Sequence, residues 1–134
     1  MAEPSGVEVG AVLILRERSE GESRVAATPE TVRRLRGRGL DFQVERGAGV
    51  AAGYADQDYA DAGAHLMESG SGLGAGVDAV LCVNPPAAAV LDQLRPGALV
   101  AGLLAPYGAS GLVEQLQARR LSALALELLP RISR

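Results

Sequence analysis

Residues 9–15 read Val-Gly-Ala-Val-Leu-Ile-Leu, an unbroken apolar run with the length of a β-strand. Such a run is typical of a strand that is buried on both faces, as in a parallel sheet covered by helices on each side. Apolar runs of similar length recur at residues 78–83, 99–104 and 121–126, and segments of helical pattern separate them. This alternation predicts βαβ units and a mainly parallel sheet.

Local signals place the remaining elements around these runs. Thr28, Pro29 and Glu30 supply a cap, a proline at the first helical position and an early acid, which predict a helix to about Arg38 that stops at Gly39. Further predicted elements are a strand at 41–45, a glycine-rich loop at 47–54, a helix capped by Asp56 and running through Ala62, a strand at 64–67, a flexible surface linker at 69–76, and helices at 86–94 and 110–119. We therefore predict a loose tail over residues 1–8 and one α/β domain over residues 9–134. Its fold class is a three-layer, Rossmann-like or flavodoxin-like sheet in a single subdomain.

The composition excludes several classes of function. All 13 basic side chains of the 134 residues are arginines, which excludes Schiff-base lysines and a lysine-containing phosphate loop. A net charge of −3, with three tyrosines and one phenylalanine, argues against a nucleic-acid partner. Since His65 is the only histidine, a paired-histidine metal site is excluded, and we predict no bound metal.

Three features bear on the cellular compartment. The single cysteine, Cys82, cannot form an internal disulfide and favours a reducing compartment. The first ten residues carry two acids and no positive region, so no secretory signal is expected. The longest apolar run, residues 97–106, is about half of the roughly 20 residues that span a bilayer, so no membrane insertion is expected.

Two glycine-rich stretches and one acidic group are candidate sites that we interpret as structural. Residues 47–52 match the Gly-x-Gly-x-x-Ala form of the dinucleotide fingerprint, but Gly53 and Tyr54 intervene before the next helix, so the pyrophosphate would not meet a helix N-terminus. The glycines of residues 69–76 fit no phosphate-loop spacing. The spacing of Asp56, Asp58 and Asp61 does not follow a calcium loop, so helix capping and solvation explain them better.

Several charged residues lie where a ligand of an open sheet would bind, outside the carboxyl ends of the strands. Arg24 follows the first strand and suits a bidentate clamp on a carboxylate or phosphate, with a solvated loop charge as the alternative. Glu127 follows the last strand and is either a site residue or a strand-end charge. Pro130 and the arginines at 131 and 134, which flank Ile132 and Ser133, form a loop suited to an anionic or polar ligand. Four further arginines are interpreted as a solvated helix face: Arg33, Arg34, Arg36 and Arg38.

Six short motifs lie along the chain. Four are residues 17–30, centred on Ser23-Arg24-Val25-Ala26-Ala27-Thr28-Pro29-Glu30, then Glu45-Arg46-Gly47-Ala48-Gly49, Tyr59-Ala60-Asp61-Ala62-Gly63-Ala64 and Leu94-Arg95-Pro96-Gly97-Ala98. The other two are Val83-Asn84-Pro85-Pro86 and Pro130-Arg131-Ile132-Ser133-Arg134. As a set they resemble one family, the alanine dehydrogenases and the alpha subunits of pyridine nucleotide transhydrogenases, and the resemblance covers residues 9–134. The last two motifs resemble the transhydrogenase branch.

The resemblance implies the N-terminal subdomain of the NAD(H)-binding component of a proton-translocating transhydrogenase. Such an enzyme passes hydride between NAD(H) and NADP(H), and its NAD site lies in a cleft between this subdomain and a following Rossmann subdomain. The implied cofactor-binding residues are Arg131, at the nicotinamide end, with Ile132, Ser133 and Arg134; Arg24 is a further candidate. No catalytic residue is implied, because the cofactor carries the hydride chemistry.

The same resemblance implies partners and a location. The partners would be the remaining alpha-subunit Rossmann subdomain, the NADP-binding beta subunit and the membrane component. The location would be cytoplasmic, peripheral to the inner membrane through the complex. Because the rest of the implied cofactor site falls past residue 134, we expect a truncated or split subunit that is inactive alone and binds NADH weakly or not at all.

Two departures from the family pattern separate its branches. Cys82 stands where the family commonly has a lysine, which holds the substrate carboxylate in alanine dehydrogenases. The stretch Leu103-Leu104-Ala105-Pro106 lacks the histidine that follows the next strand in those enzymes. An alanine dehydrogenase remnant is therefore less expected than a transhydrogenase subdomain. A non-catalytic binding module that keeps the fold is the alternative from another class.

Overall fold

The computed structural model describes residues 10–70, 72–104 and 111–128, and in that part of the chain six parallel strands form one sheet in the order β3-β2-β1-β4-β5-β6. This is the strand order of the Rossmann fold rather than that of flavodoxin, and it confirms the predicted α/β class. The strands are β1 (Ala11–Ile14), β2 (Asp41–Glu45), β3 (His65–Met67), β4 (Ala79–Leu81), β5 (Leu99–Gly102) and β6 (Ser122–Ala125).

Helices cover both faces of the sheet and give the predicted three layers. One face packs against α3 and α4 through Leu91 and Leu116, and the other packs against α1 and α2 through Val32 and Tyr59. The helices are α1 (Pro29–Arg36), α2 (Asp56–Asp61), α3 (Ala88–Gln93) and α4 (Leu112–Ala118), and 3₁₀ turns span Val50–Ala52 and Leu126–Leu128.

Strand β1 lies at the centre of the core. Leu13 belongs to the apolar cluster on one face, Val12 and Ile14 belong to the cluster on the other, and all three are at most 4% exposed. Residues 12–15 are covered on both sides of the sheet, and this burial explains why the run is apolar. Val9 lies outside the described residues.

All four helices are shorter than predicted, and for α1 and α2 the difference has a local reason. Helix α1 ends at Arg36 with Gly37 as its cap, and the positive φ of Gly39 belongs to the turn that follows. Asp56 is not the cap of α2 but its first residue, and its carboxylate accepts a hydrogen bond from the Gly47 N–H at 2.8 Å. The capping position is Ala55, whose N–H donates to the Asp58 carboxylate.

The predicted surface linker at residues 69–76 is wrong for Leu73 and Gly74, which are buried, while the other described residues of the segment are exposed. Leu73 is 4% exposed and packs in the core with Val77, and a Cβ on Gly74 would lie 3.1 Å from Leu94. Tight turns join the Leu73 N–H to the Gly70 carbonyl and the Val77 N–H to the Gly74 carbonyl. The glycines supply the positive φ angles that these turns require, while the apolar residues between them anchor the segment to the core.

No helix in the described ranges has the length and apolar character needed to cross a membrane.

Candidate functional site at the carboxyl edge of the sheet

A large cavity lies where the strand order reverses. Strands β1 and β4 are neighbours, but the chain runs from β1 toward β2 on one side and from β4 toward β5 on the other. Ligands of open α/β sheets bind in the crevice at such a point, outside the carboxyl ends of the strands. A cavity of about 610 Å³ opens there, between the loop that follows β1 and the turn that follows β4.

Two acids of the loop after β1 hold the turn after β4. The Glu17 carboxylate accepts hydrogen bonds from the backbone N–H groups of Val83 at 2.7 Å and Asn84 at 2.9 Å. The Asn84 side-chain amide donates to Glu22 at 2.9 Å. These contacts join residues more than 60 positions apart, so they set the width of the crevice.

A third acid, Glu45 at the end of β2, also lines this cavity and holds the neighbouring segments in place. Its side chain is fully buried and accepts hydrogen bonds from the Arg16 N–H at 2.8 Å, from Ser69 at 2.6 Å and from the Arg18 guanidinium. Burial alone would raise the pKa of Glu45, but these hydrogen bonds outweigh it and hold the pKa below its ordinary value. Glu45 therefore remains charged and ties the segments after β1 and β3 to the sheet edge.

Arg24 borders a second, smaller cavity on the same edge. This cavity, of about 350 Å³, is otherwise apolar, with Leu81, Leu103 and Leu126 in its wall. Glu22 binds the Arg24 guanidinium through two contacts of 2.9 Å, to Nε and Nη2. Arg24 thus lies at the carboxyl edge of the sheet, as predicted. Two of the donor nitrogens of its guanidinium, Nε and Nη2, are occupied by the Glu22 carboxylate.

The pairing of Glu22 leaves that acid strongly ionised. Hydrogen bonds from the side chain and backbone N–H of Arg24, joined by one from Asn84, lower the pKa of Glu22 to about 2. Its side chain is 10% exposed, whereas that of Arg24 is 62% exposed. An incoming anion would therefore meet the guanidinium from the solvent side while Glu22 holds it from behind.

Cys82 lines both cavities, and its buried thiol is uncharged rather than reactive. Its thiol donates a weak hydrogen bond to the Ala101 carbonyl at 3.4 Å, and burial raises its pKa to about 12. The same cysteine restricts position 102 to glycine, since a Cβ on Gly102 would collide with the Cys82 carbonyl oxygen. Position 82, directly after β4, therefore carries no cationic side chain that could bind an anion.

Several sequence-predicted candidates turn out to serve the fold. Gly49, in the false fingerprint, lies against Tyr59, where a Cβ would approach the ring to 2.6 Å. His65 is exposed, and the Glu127 carboxylate accepts the Leu104 N–H at 3.0 Å. Arg33, Arg34, Arg36 and Arg38 lie on or beside α1, and all four are exposed, as predicted. The described residues contain no group of three or more side chains able to hold a metal ion.

The remaining predicted site residues, Arg131, Ile132, Ser133 and Arg134, lie outside the described residues. The structure instead reveals Glu17 and Asn84, which sequence reasoning did not predict as site residues. Glu17 had one usable signal, its position three residues after a central strand. Nothing local in the sequence connects it to Val83 and Asn84.

Cavity volume and donor set decide which ligand groups fit. About 610 Å³ is enough for a substantial part of a dinucleotide, and the lining combines apolar Leu15, Leu73 and Val90 with polar Asn84 and with four charged residues, Arg16, Glu17, Arg18 and Glu45. Two backbone N–H donors beside the cavity, those of Val83 and Asn84, are already bound to Glu17. A phosphate entering the crevice would therefore not find these two donors free.

A family model and several relatives match the chain. The family model described as alanine dehydrogenase/PNT, N-terminal domain, matches residues 13–134. The NAD(P) transhydrogenase subunit alpha of Cereibacter sphaeroides is 35% identical over 119 residues, which cover 89% of this chain and 23% of the relative. In Rhodospirillum rubrum, the first part of the NAD(P) transhydrogenase subunit alpha is 36% identical over 128 residues, which cover 92% of this chain and 33% of the relative.

Solved structures agree with the sequence relatives. The transhydrogenase from Sinorhizobium meliloti has a TM-score of 0.84 at 34% identity, covering 92% of this chain and 36% of that one. An L-alanine dehydrogenase has a TM-score of 0.78 at 33% identity, covering 86% of this chain and 32% of that one.

The sheet order, with a crevice at its switch point, thus defines a Rossmann-like α/β domain. The chain belongs to the alanine dehydrogenase/pyridine nucleotide transhydrogenase N-terminal domain family. It spans about a quarter to a third of the length of the curated relatives that it matches.

Proposed function

We propose that this chain forms the N-terminal part of the NAD(H)-binding component of a proton-translocating NAD(P) transhydrogenase. The observation that carries the proposal is the crevice between β1 and β4, on a sheet that matches a transhydrogenase at a TM-score of 0.84. In this role the chain supplies one wall of an NAD(H) site. A Rossmann subdomain, like that implied by the resemblance, supplies the other.

The bound cofactor supplies the hydride, and this chain's residues orient it. Arg131 directs hydrogen bonds to the nicotinamide end, with Ile132, Ser133 and Arg134 beside it. Arg24 is a further contact, because its guanidinium borders the second cavity while Glu22 fixes its orientation. Glu17 and Asn84 set the width of the crevice between them.

The chemistry at Cys82 favours a transhydrogenase over an alanine dehydrogenase. An amino-acid dehydrogenase of this family would need a cation there to hold a carboxylate, whereas Cys82 offers a buried thiol whose pKa is raised to about 12. Hydride exchange between two nicotinamide cofactors needs no such cation.

The proposal includes a complex. The partners are the remaining alpha-subunit Rossmann subdomain, the NADP-binding beta subunit and a membrane component that couples hydride transfer to proton movement. The chain itself is then cytoplasmic, and it is peripheral to the inner membrane through those partners. On its own it is inactive.

A graft tests the proposal directly. Residues 1–134 replace the matching region of the Rhodospirillum rubrum relative, and reduction of an NAD⁺ analogue by NADPH is measured with the remaining subunits present. We expect activity in the graft and a loss of about 10- to 100-fold in Arg131→Ala, the cost of one charged hydrogen bond.

The matched control is Arg38→Ala, which removes an exposed arginine just past the end of α1 and should leave the rate unchanged. A folded but inactive graft would overturn the proposal and favour the non-catalytic module. Tight NADH binding by the isolated chain in calorimetry would contradict the shared site.

A further inference from the structure

Two consecutive backbone N–H groups at the switch point are directed at the same acid. Val83 donates to Oε2 of Glu17 at 2.7 Å, and Asn84 donates to Oε1 at 2.9 Å. Each oxygen of one carboxylate therefore receives one N–H, and both donors lie in the turn after β4. Two successive backbone N–H groups that donate to the two oxygens of one carboxylate can offer the same two hydrogen bonds to another anion.

The position of this pair is where a Rossmann-like sheet would receive an anionic ligand. β1 and β4 are adjacent, and the donors and the acid lie just past their carboxyl ends, beside the cavity of about 610 Å³. A carboxylate has the charge and the two acceptor oxygens with which a phosphate group would bind the same donors.

We propose that Glu17 is a resident anion that occupies a phosphate-binding pair of N–H groups and so determines the specificity of the crevice. With the pair filled, phosphate is excluded and only an uncharged or cationic part of a ligand enters beside Glu17.

The arginines of the same loop do not replace the two N–H groups as partners of Glu17. Arg18 is paired with Glu45 and Arg24 with Glu22, whereas Arg16, which also lines the cavity, takes part in no salt bridge among the described residues. In that part of the chain, no arginine forms a salt bridge with Glu17 either. Removing Glu17 therefore exposes the two N–H groups without breaking a described salt bridge.

Nuclear magnetic resonance of the full chain tests the pair with inorganic phosphate as the probe. In the wild-type protein, the amide resonances of Val83 and Asn84 should not respond to phosphate. In Glu17→Ala, both should shift saturably, with at least about a tenfold gain in affinity, the effect expected from uncovering hydrogen bonds to a charged group. Glu20→Ala, which removes an exposed acid of the same loop, is the control and should behave as wild type.

The same comparison can be made by thermal unfolding if Glu17→Ala is poorly folded. Phosphate that binds only the native state raises the melting temperature, and the control corrects for the general stabilising effect of the salt. We expect Glu17→Ala to gain more from phosphate than Glu20→Ala does. Equal gains in both variants, or a phosphate response of Val83 and Asn84 in the wild type, would overturn the proposal.

The graft links this result to the proposed function while keeping the two apart. In the grafted enzyme, Glu17→Ala should make hydride transfer sensitive to inorganic phosphate, competitively with the NAD⁺ analogue. An inactive graft would refute only the transhydrogenase role, because phosphate binding to the isolated chain needs no cofactor. An active graft whose Glu17→Ala variant ignores phosphate would refute the specificity role of Glu17.

Discussion

Two carboxylates join β1 to β4, one at each end of the strands, and their surroundings differ. At the amino edge, Asp78 accepts hydrogen bonds from the N–H groups of Gly10 at 3.0 Å and Ala11 at 2.8 Å; we call this the amino-edge clamp. At the carboxyl edge, Glu17 accepts those of Val83 and Asn84; we call this the carboxyl-edge clamp.

The partners of the two carboxylate oxygens distinguish the clamps. Asp78 uses one oxygen for both N–H groups and the other for the Arg95 guanidinium, so its charge is neutralised. Each carboxylate oxygen of Glu17 accepts a hydrogen bond from one backbone N–H group, and Glu17 borders a cavity. A similar bond pattern therefore closes the fold at one end and borders the candidate site at the other.

The largest expected effect comes from breaking the amino-edge clamp. Asp78→Ala removes two hydrogen bonds to a charged acceptor and a salt bridge, and it should lower the free energy of unfolding by about 2 to 3 kcal/mol. Urea denaturation measures this loss, and Asp78→Asn, which keeps one acceptor oxygen, should recover part of it. Phosphate should not restore the stability of Asp78→Ala, and equal rescue of this variant and Glu17→Ala would erase the contrast between the clamps.

Most of the fold was predictable because it depends on local patterns. The buried run around Leu13 predicted a central strand, and Thr28 and Pro29 predicted the start of α1, which begins at Pro29. Two family motifs also prove to be packing devices: Tyr59 donates to the Ala27 carbonyl at 2.7 Å, and Arg95 pairs with Asp78. Such motifs identify a family without marking its active site.

The site was less predictable because its contacts are long-range. Arg24 was placed at the correct edge from its position after β1, but its partner Glu22 was not foreseen. The Glu17 contacts span 66 and 67 positions, and no periodicity or motif encodes such a pairing. The burial of Leu73 within the predicted surface linker was missed because the glycine content concealed its anchoring role.

A smaller effect should follow from removing only the cation of the amino-edge clamp. Arg95→Ala leaves both N–H bonds of Asp78 in place, and the Arg95 side chain is 53% exposed. Its salt bridge is therefore screened by solvent, and we expect a loss of about 0.5 to 1 kcal/mol by urea denaturation. Raising the salt concentration should shrink the difference from wild type. A loss as large as that of Asp78→Ala would mean that the arginine, not the pair of N–H groups, holds this edge.

The smallest effect is a change in pH dependence at the carboxyl edge. Glu22 has a folded pKa of about 2, lowered from 4.5 by hydrogen bonds from Arg24 and Asn84. A lowered folded pKa contributes stability that is fully present above about pH 4.5 and is lost as the pH falls toward about 2. Stability measured by denaturation across this window should therefore fall less steeply in Glu22→Gln than in wild type. Glu20→Gln removes the same formal charge from an exposed position on that loop, and an equal change of slope in both variants would show that total charge, rather than the Glu22 contacts, governs acid stability at this edge.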